Sequence, residues 1–196
     1  MTSFHPYPTP LDRVVLAGPP RIFITGPRRV GKSTLVRAVL AQSDSACGFL
    51  VIQATPSSVE GYDLLLLPQG NRVPLARKRW PRGARFGAWR FHTEIFDDVL
   101  ARHLSRCALP GHLTVLDELG FVERNNEPFR AAVARALLRP GPLLGVVQLR
   151  ALPNWLPLLR RANVPLIYLS ATNRADWQRI LSDLFRRVPS AQAGWS

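Results

Sequence analysis

The stretch Gly26-Pro27-Arg28-Arg29-Val30-Gly31-Lys32-Ser33-Thr34 leaves this chain little choice of fold, because it makes sense only as a tight turn between a strand and a helix. Arg21 to Thr25 before it is apolar and rich in β-formers, and Thr34 to Ala41 after it has helical spacing. Glycine, four residues, glycine, lysine and serine in that setting form a complete phosphate-binding loop. A triphosphate brings several negative charges, and backbone N–H groups at a helix N-terminus hold them without burying an unpaired cation. Gly26 and Gly31 supply the backbone freedom for that wrap. Lys32 is expected to reach the β- and γ-phosphate oxygens and Ser33 to ligate magnesium, with Thr34 adjacent to the metal position. Arg29 stands where many such loops carry glycine, so either its φ is negative or the loop is slightly strained. Arg28 and Arg29 either add charge near the phosphates or are simply solvated.

The 196 residues fit one domain, and 46% hydrophobic against 20% charged residues excludes a disordered chain. The net charge of +13 suggests a nucleic-acid footprint at first sight. Only Lys32 and Lys78 of the 26 basic residues are lysines, however, and the arginines are spread through every segment, which reads as compositional bias. Nucleic acid is therefore not an expected partner. No stretch has the length to span a bilayer and the N-terminus lacks a signal pattern, so a cytoplasmic, soluble protein is expected, with a monomer as the default. Cys47 and Cys107 have no CxxC spacing, and the reading is two reduced thiols without a zinc site or disulfide framework.

Five prolines within residues 1–20 describe an extended arm ahead of a domain at 21–188, with a tail at 189–196. Ala46 to Gln53 and Gly61 to Leu67 read as strands, and a Pro68 to Arg72 turn returns through Val73-Pro74-Leu75, which favours antiparallel pairing. Arg77 to Arg90 combines charge, glycines and aromatics and is expected to be a mobile, substrate-facing loop. Its arginines either clamp phosphate or are solvated, and Trp80 and Trp89 either stack on a base or anchor the loop to the core. Arg85 is the residue chosen from it to stabilise transition-state charge. A helix follows over about 93–107, with His92 just before it and His103 near its end, to neither of which a role is assigned.

Leu113 to Leu116 is a short apolar strand that ends in Asp117-Glu118, the partner motif of a phosphate-binding loop. Asp117 is expected to hold magnesium next to Ser33, and Glu118 to orient and partly deprotonate the attacking nucleophile. A helix through Phe129 to Leu138, a buried strand over Leu143 to Leu149, a helix over about 153–162, a strand over Val164 to Ser170 and a final helix from Asn173 to about Arg187 complete the alternation. This is an α/β three-layer domain with a mainly parallel core sheet and added antiparallel strands. In such sheets ligands bind beyond the carboxyl ends of the strands, where Gly26 to Ser33, Asp117, Glu118, Asn173 and Arg174 would converge.

The order of these motifs resembles the small P-loop nucleoside-triphosphatase family related to nucleotide kinases. The likeness rests on Gly26 to Thr34, Gly48-Phe49, Gly61-Tyr62, Leu75-Ala76-Arg77, Asp117 to Glu123, Gly145-Val146-Val147 and Asn173-Arg174. The resemblance implies a RecA-like core and magnesium-dependent cleavage of nucleoside triphosphates such as ATP or GTP, with roles for Lys32, Ser33, Asp117 and Glu118 as above. It also implies that Asn173 and Arg174 lie near the base. Three activities fit the motifs: a triphosphatase of broad base preference, a kinase passing the γ-phosphate to a small acceptor, and a nucleotide-switched binding module. The paired loop and carboxylate motifs favour the first.

Overall fold

In the computed structural model, which describes residues 18–43, 45–55, 59–107 and 112–186, the alternation of Arg21–Thr25 (β1) sorts the core into two layers. Ile22 and Ile24 point into one apolar cluster and Phe23 into the other. Among the described residues nine strands form one sheet, in the order β5-β6-β4-β3-β2-β7-β8-β1-β9. Its centre is parallel: Ala46–Gln53 (β2), Leu113–Leu119 (β7), Leu143–Val147 (β8), β1 and Leu166–Tyr168 (β9). Gly61–Leu67 (β3), Asn71–Arg77 (β4), Ala84–Phe86 (β5) and Trp89–Phe91 (β6) extend it as antiparallel strands. The expected α/β three-layer architecture is the observed one. Residues 1–17 of the proline-rich arm and the tail at 189–196 lie outside the described residues.

On one face Lys32–Leu40 (α1) and Arg174–Arg186 (α5) bury Leu35, Val36, Val39, Trp177, Leu181 and Phe185 against Ile22 and Ile24. On the other, a π-helical turn at Phe96–Ala101 runs into Arg102–Arg106 (α2), and Glu127–Leu138 (α3) and Leu152–Arg161 (α4) pack beside it. Asn126 caps α3 by accepting from the Phe129 amide at 2.8 Å. At the helix's other end the Arg21 guanidinium donates to the carbonyls of Leu137, Arg139 and Gly141, placing a cation at the negative pole. Thus β1 is tied to α3 as well as to its two neighbouring strands. Trp155, fully buried, donates from Nε1 to Gly120 O at 2.9 Å and locks α4 to the end of β7.

Two expectations need correcting. Residues 77–90 are not a free loop: 84–86 and 89–91 pair as a hairpin, held because Trp89 packs on Tyr62 at 5.1 Å and Trp80 meets His92 edge-on at 5.7 Å. The tryptophans are anchors, with Arg77 and Lys78 lying over Trp80 and Trp89. Nor are the cysteines two separate thiols. The start of β2 and the end of α2 bring Cys47 and Cys107 to a Cα separation of 5.4 Å, and a disulfide joins them across 60 residues. Spacing along the chain could not reveal a pair made by tertiary packing. Among the described residues no helix is long and apolar enough to cross a membrane.

Phe23 of β1 sits directly opposite Gly145 of β8, and a Cβ on that glycine would lie 2.1 Å from the Phe23 ring. Gly145→Ala should therefore destabilise the protein by about 1–3 kcal/mol through overpacking. Urea unfolding checks this, and Phe23→Leu in the Gly145→Ala background should recover part of the loss; equal losses that simply add would mean the two side chains do not compete for the space.

Candidate active site

The phosphate loop is shaped by what cannot fit beside it. Gly26 closes β1 with φ +146°, and a Cβ there would stand 2.3 Å from Leu169 O, so no larger residue is accommodated. Gly31 has φ +102° and caps α1, whose first turn holds no acidic side chain to quench its N-terminal dipole. Between them Arg29 adopts φ +61°, so the strained alternative is the one realised. Arg28 and Arg29 are both exposed. The Lys32 ammonium folds back over the loop, donating to Gly26 O at 3.0 Å and Pro27 O at 2.7 Å. Burial pushes its pKa down, and the charges of Glu118 and Asp117 push it back up. Lysine and carboxylates thus share one electrostatic neighbourhood, although β1 and β7 are separated in the sheet by β8.

Ordinary strand alternation would send Asp117 and Glu118 to opposite faces of the sheet. A bulge prevents it. Leu116 pairs with Gly145 and Leu119 with Val147, so Asp117 and Glu118 together oppose Val146 alone. Glu118 takes up the extra residue with φ +67°, an uncommon conformation for a non-glycine. Asp117 is 1% exposed and its Oδ2 accepts from the Val51 amide at 3.2 Å, while Oδ1 is buried with no hydrogen-bond partner. Burial first, then the neighbouring Glu118 charge, pushes the Asp117 pKa up to about 7. An orphaned, desolvated carboxylate oxygen suits a hard divalent cation, so Asp117 fits the magnesium role expected of it.

Three residues that sequence reasoning did not select complete this end of the sheet. Gln148, just past β8, donates from Nε2 to Glu118 Oε1 at 2.9 Å. Arg150 donates to Gln148 Oε1 at 3.2 Å and lies over the Phe86 ring, its guanidinium carbon 5.0 Å from the centroid. Glu123 is buried beneath them with Oε2 unpartnered, and burial, aided by Glu118, pushes its pKa up to about 7. The available signal was position: polar residues just beyond the carboxyl end of an apolar parallel strand point at the ligand crevice.

The remaining expected site residues divide. Arg174 lies on the phosphate loop, its Cδ 2.9 Å from where a Gly31 Cβ would be. Asn173 is occupied by its own turn, accepting from Ser170 N at 2.8 Å and donating to Tyr168 O at 3.0 Å. Ser33 is half-buried in the first turn of α1, with Thr34 exposed beside it, and Pro27 and Val30 complete the loop. Arg85 is exposed and donates only to Gly87 O, at 3.3 Å, among the hydrogen bonds described. Its neighbour Phe86 is the hairpin residue that reaches the site's rim, packing on Phe121 at 5.3 Å.

Residues 21–182 match the profile of a family described as NTPase. The chain is 31% identical over 147 residues to the nucleoside-triphosphatase THEP1 of Thermococcus kodakarensis, covering 70% of this chain and 81% of that protein. It is 27% identical to the mouse protein named cancer-related nucleoside-triphosphatase homolog, covering 87% of this chain and 97% of that one. Among solved structures, THEP1 from Aquifex aeolicus superposes with a TM-score of 0.70 at 23% identity, over 85% of this chain and 99% of that one. The solution structure of a human cancer-related nucleoside triphosphatase gives a TM-score of 0.68 at 25% identity, over 88% and 98%.

The Glu123 carboxyl titrates near 7 in the folded protein against an ordinary value of 4.5. A raised folded pKa stabilises fully below the unfolded value and loses that contribution as pH rises toward the folded one, at a limiting slope of about 1.4 kcal/mol per pH unit. Glu123→Gln removes the loss, so the variant should gain on wild type between pH 4.5 and 7 in urea-unfolding midpoints. A stability difference that does not change across that window would show that Glu123 titrates normally.

Proposed function

The chain belongs to the NTPase family, and from that premise we propose that it hydrolyses nucleoside triphosphates to the diphosphate and phosphate at the crevice formed by residues 26–33, 117–118 and 148. The observation that carries this reading is the bulge that sets Asp117 and Glu118 together against Val146, with the Glu118 carboxylate held by Gln148 and the charges of both acting on Lys32. The α1 N-terminus and the loop amides take the phosphate chain, and Lys32 leaves its two carbonyls for the β- and γ-oxygens. Ser33 Oγ and Asp117 Oδ1 would hold magnesium, which when bound would supply positive charge to offset that of the triphosphate. Glu118 orients a water in line with the γ-phosphate and accepts its proton. Arg174, lying on Gly31, is assigned to the phosphates, and Arg150 is the better-placed source of transition-state charge than Arg85, because it is joined to Gln148.

Phosphate release from ATP, GTP, CTP and UTP with magnesium tests the assignment. Wild type should turn over, and Lys32→Ala and Glu118→Gln should each lose roughly 10²-fold or more in kcat. Absence of release from every triphosphate by wild type would overturn it.

Gln148 does not perform the chemistry; it positions Glu118. Gln148→Leu should lower kcat about tenfold and leave KM for the triphosphate nearly unchanged, because the Glu118 carboxylate loses the donor that orients it. An equal fall in affinity with unchanged kcat would instead assign Gln148 to nucleotide binding.

A further inference from the structure

At the opposite end of β2 from Val51 and Asp117, the Cys47–Cys107 disulfide lines a pocket of about 460 Å³ with His103, His112, Arg102 and Arg106. Cys107 caps α2, and His103 one turn earlier shares its side of the helix, with Nε2 3.7 Å from Cys107 Sγ. The two sulfurs and a ring nitrogen of His103 all lie within 4.8 Å of one another. Tetrahedral zinc bound at roughly 2.3 Å to sulfur and 2.0–2.1 Å to nitrogen holds its ligand atoms roughly 3.5–3.8 Å apart; Cys107 Sγ and His103 Nε2 already stand at 3.7 Å, and the two sulfurs reach that spacing by moving apart once their bond is broken. We propose that Cys47, His103 and Cys107 form a thiol-gated binding site for zinc or a similar thiophilic divalent cation, closed by the disulfide and opened by its reduction.

The chemistry balances with one named co-reactant. Two molecules of a small thiol deliver an electron pair to the disulfide; the S–S bond breaks, both cysteines take up protons as thiols, and the thiol pair leaves as its own disulfide. The cation then replaces the two thiol protons, which pass to solvent, and takes a neutral His103 nitrogen as third ligand. Two features suit both steps. The pocket exposes the disulfide to a reductant, and Arg102 and Arg106 on its wall favour the thiolate forms. His103 Nε2, now 2.9 Å from Gly48 O, exchanges that hydrogen bond for the cation. His112, which shares a hydrogen bond between Nδ1 and Ser45 Oγ, stands in the same pocket for the fourth position.

Cobalt, a spectroscopic stand-in for zinc, tests this on the full chain. The protein is reduced with a phosphine, stripped by a chelator, transferred to oxygen-free buffer and titrated with Co²⁺ alone. One equivalent should produce a thiolate-to-cobalt charge-transfer band with tetrahedral d–d absorption, and equimolar Zn²⁺ should abolish it. Wild type left oxidised should show neither feature, a comparison that needs no mutation. His103→Ala should weaken binding about tenfold or more, with circular dichroism confirming its fold. A reduced wild type without the charge-transfer band would overturn the proposal, as would a band equally strong in the oxidised protein.

Discussion

Seating β1 between β8 and β9 is the constraint from which the rest of this molecule follows. The parallel ladder aligns Phe23 with Gly145 and Leu166, and the Phe23 ring fills the space that any side chain at 145 would need. One step on, Thr25 Oγ1 donates to Val147 O at 3.0 Å, and Leu169 donates back to Thr25 O at 2.8 Å. That grip brings Leu169 O so close to Gly26 that the chain must leave β1 through a glycine, which begins the phosphate loop. The same ladder fixes where β8 ends, and Gln148 emerges level with the carboxylates of β7. The geometry of the crevice is therefore a property of strand register, with the loops inheriting it.

The electrostatics of the crevice are arranged around carboxylates drawn out of water. Asp117, Glu118 and Glu123 crowd one region, two of them buried, and Lys32 is itself partly desolvated. Burying carboxylates this way is unfavourable for the isolated protein, and the unpartnered Asp117 Oδ1 and Glu123 Oε2 carry that cost visibly. In the reading proposed above, anionic phosphate would draw on Lys32, Arg174 and the α1 N-terminus, and a divalent cation on Asp117. Strain at Arg29 and Glu118 belongs to the same economy of form, since Arg29 lies in the glycine-flanked loop and Glu118 in the bulge that re-aims a carboxylate.

What could be read in the sequence was whatever is local. The loop with its flanking strand and helix, the Asp117-Glu118 strand end and the spacing of the core helices all follow from neighbours within a few residues, and Lys32, Ser33, Asp117 and Glu118 stand in or beside one crevice. Arg85 was chosen from a basic, aromatic segment, but composition carries no orientation: in a paired strand alternate residues face opposite ways, and Phe86 rather than Arg85 faces the rim. Gln148 was hidden because it reads as part of the apolar run Leu143 to Leu149, whereas the strand ends at Val147, and Arg150 because it follows that run without a motif. The bulge was hidden too, since nothing in Leu116-Asp117-Glu118-Leu119 reveals that two residues will face one. The disulfide could not be seen at all, because only packing of α2 against the start of β2 makes Cys47 and Cys107 neighbours.

The two ends of β2 therefore answer to different chemistry through one rigid element. Its middle is bound on both sides, to β7 in parallel and to β3 in antiparallel register, and Gly48 approaches β7 so closely that a Cβ would stand 1.9 Å from Val115 O. Its Val51 amide holds Asp117 Oδ2, while its Cys47 is fastened to α2. A strand pinned in this way cannot slide without moving the only hydrogen bond described for the Asp117 carboxylate. Fastening the start of β2, whether by a sulfur–sulfur bond or by a cation shared with His103, thus also keeps the Val51 amide aimed at the buried carboxylate. The family's fold leaves the amino ends of these strands free of catalytic duty, which makes that edge the place where a second site can be added without disturbing the first.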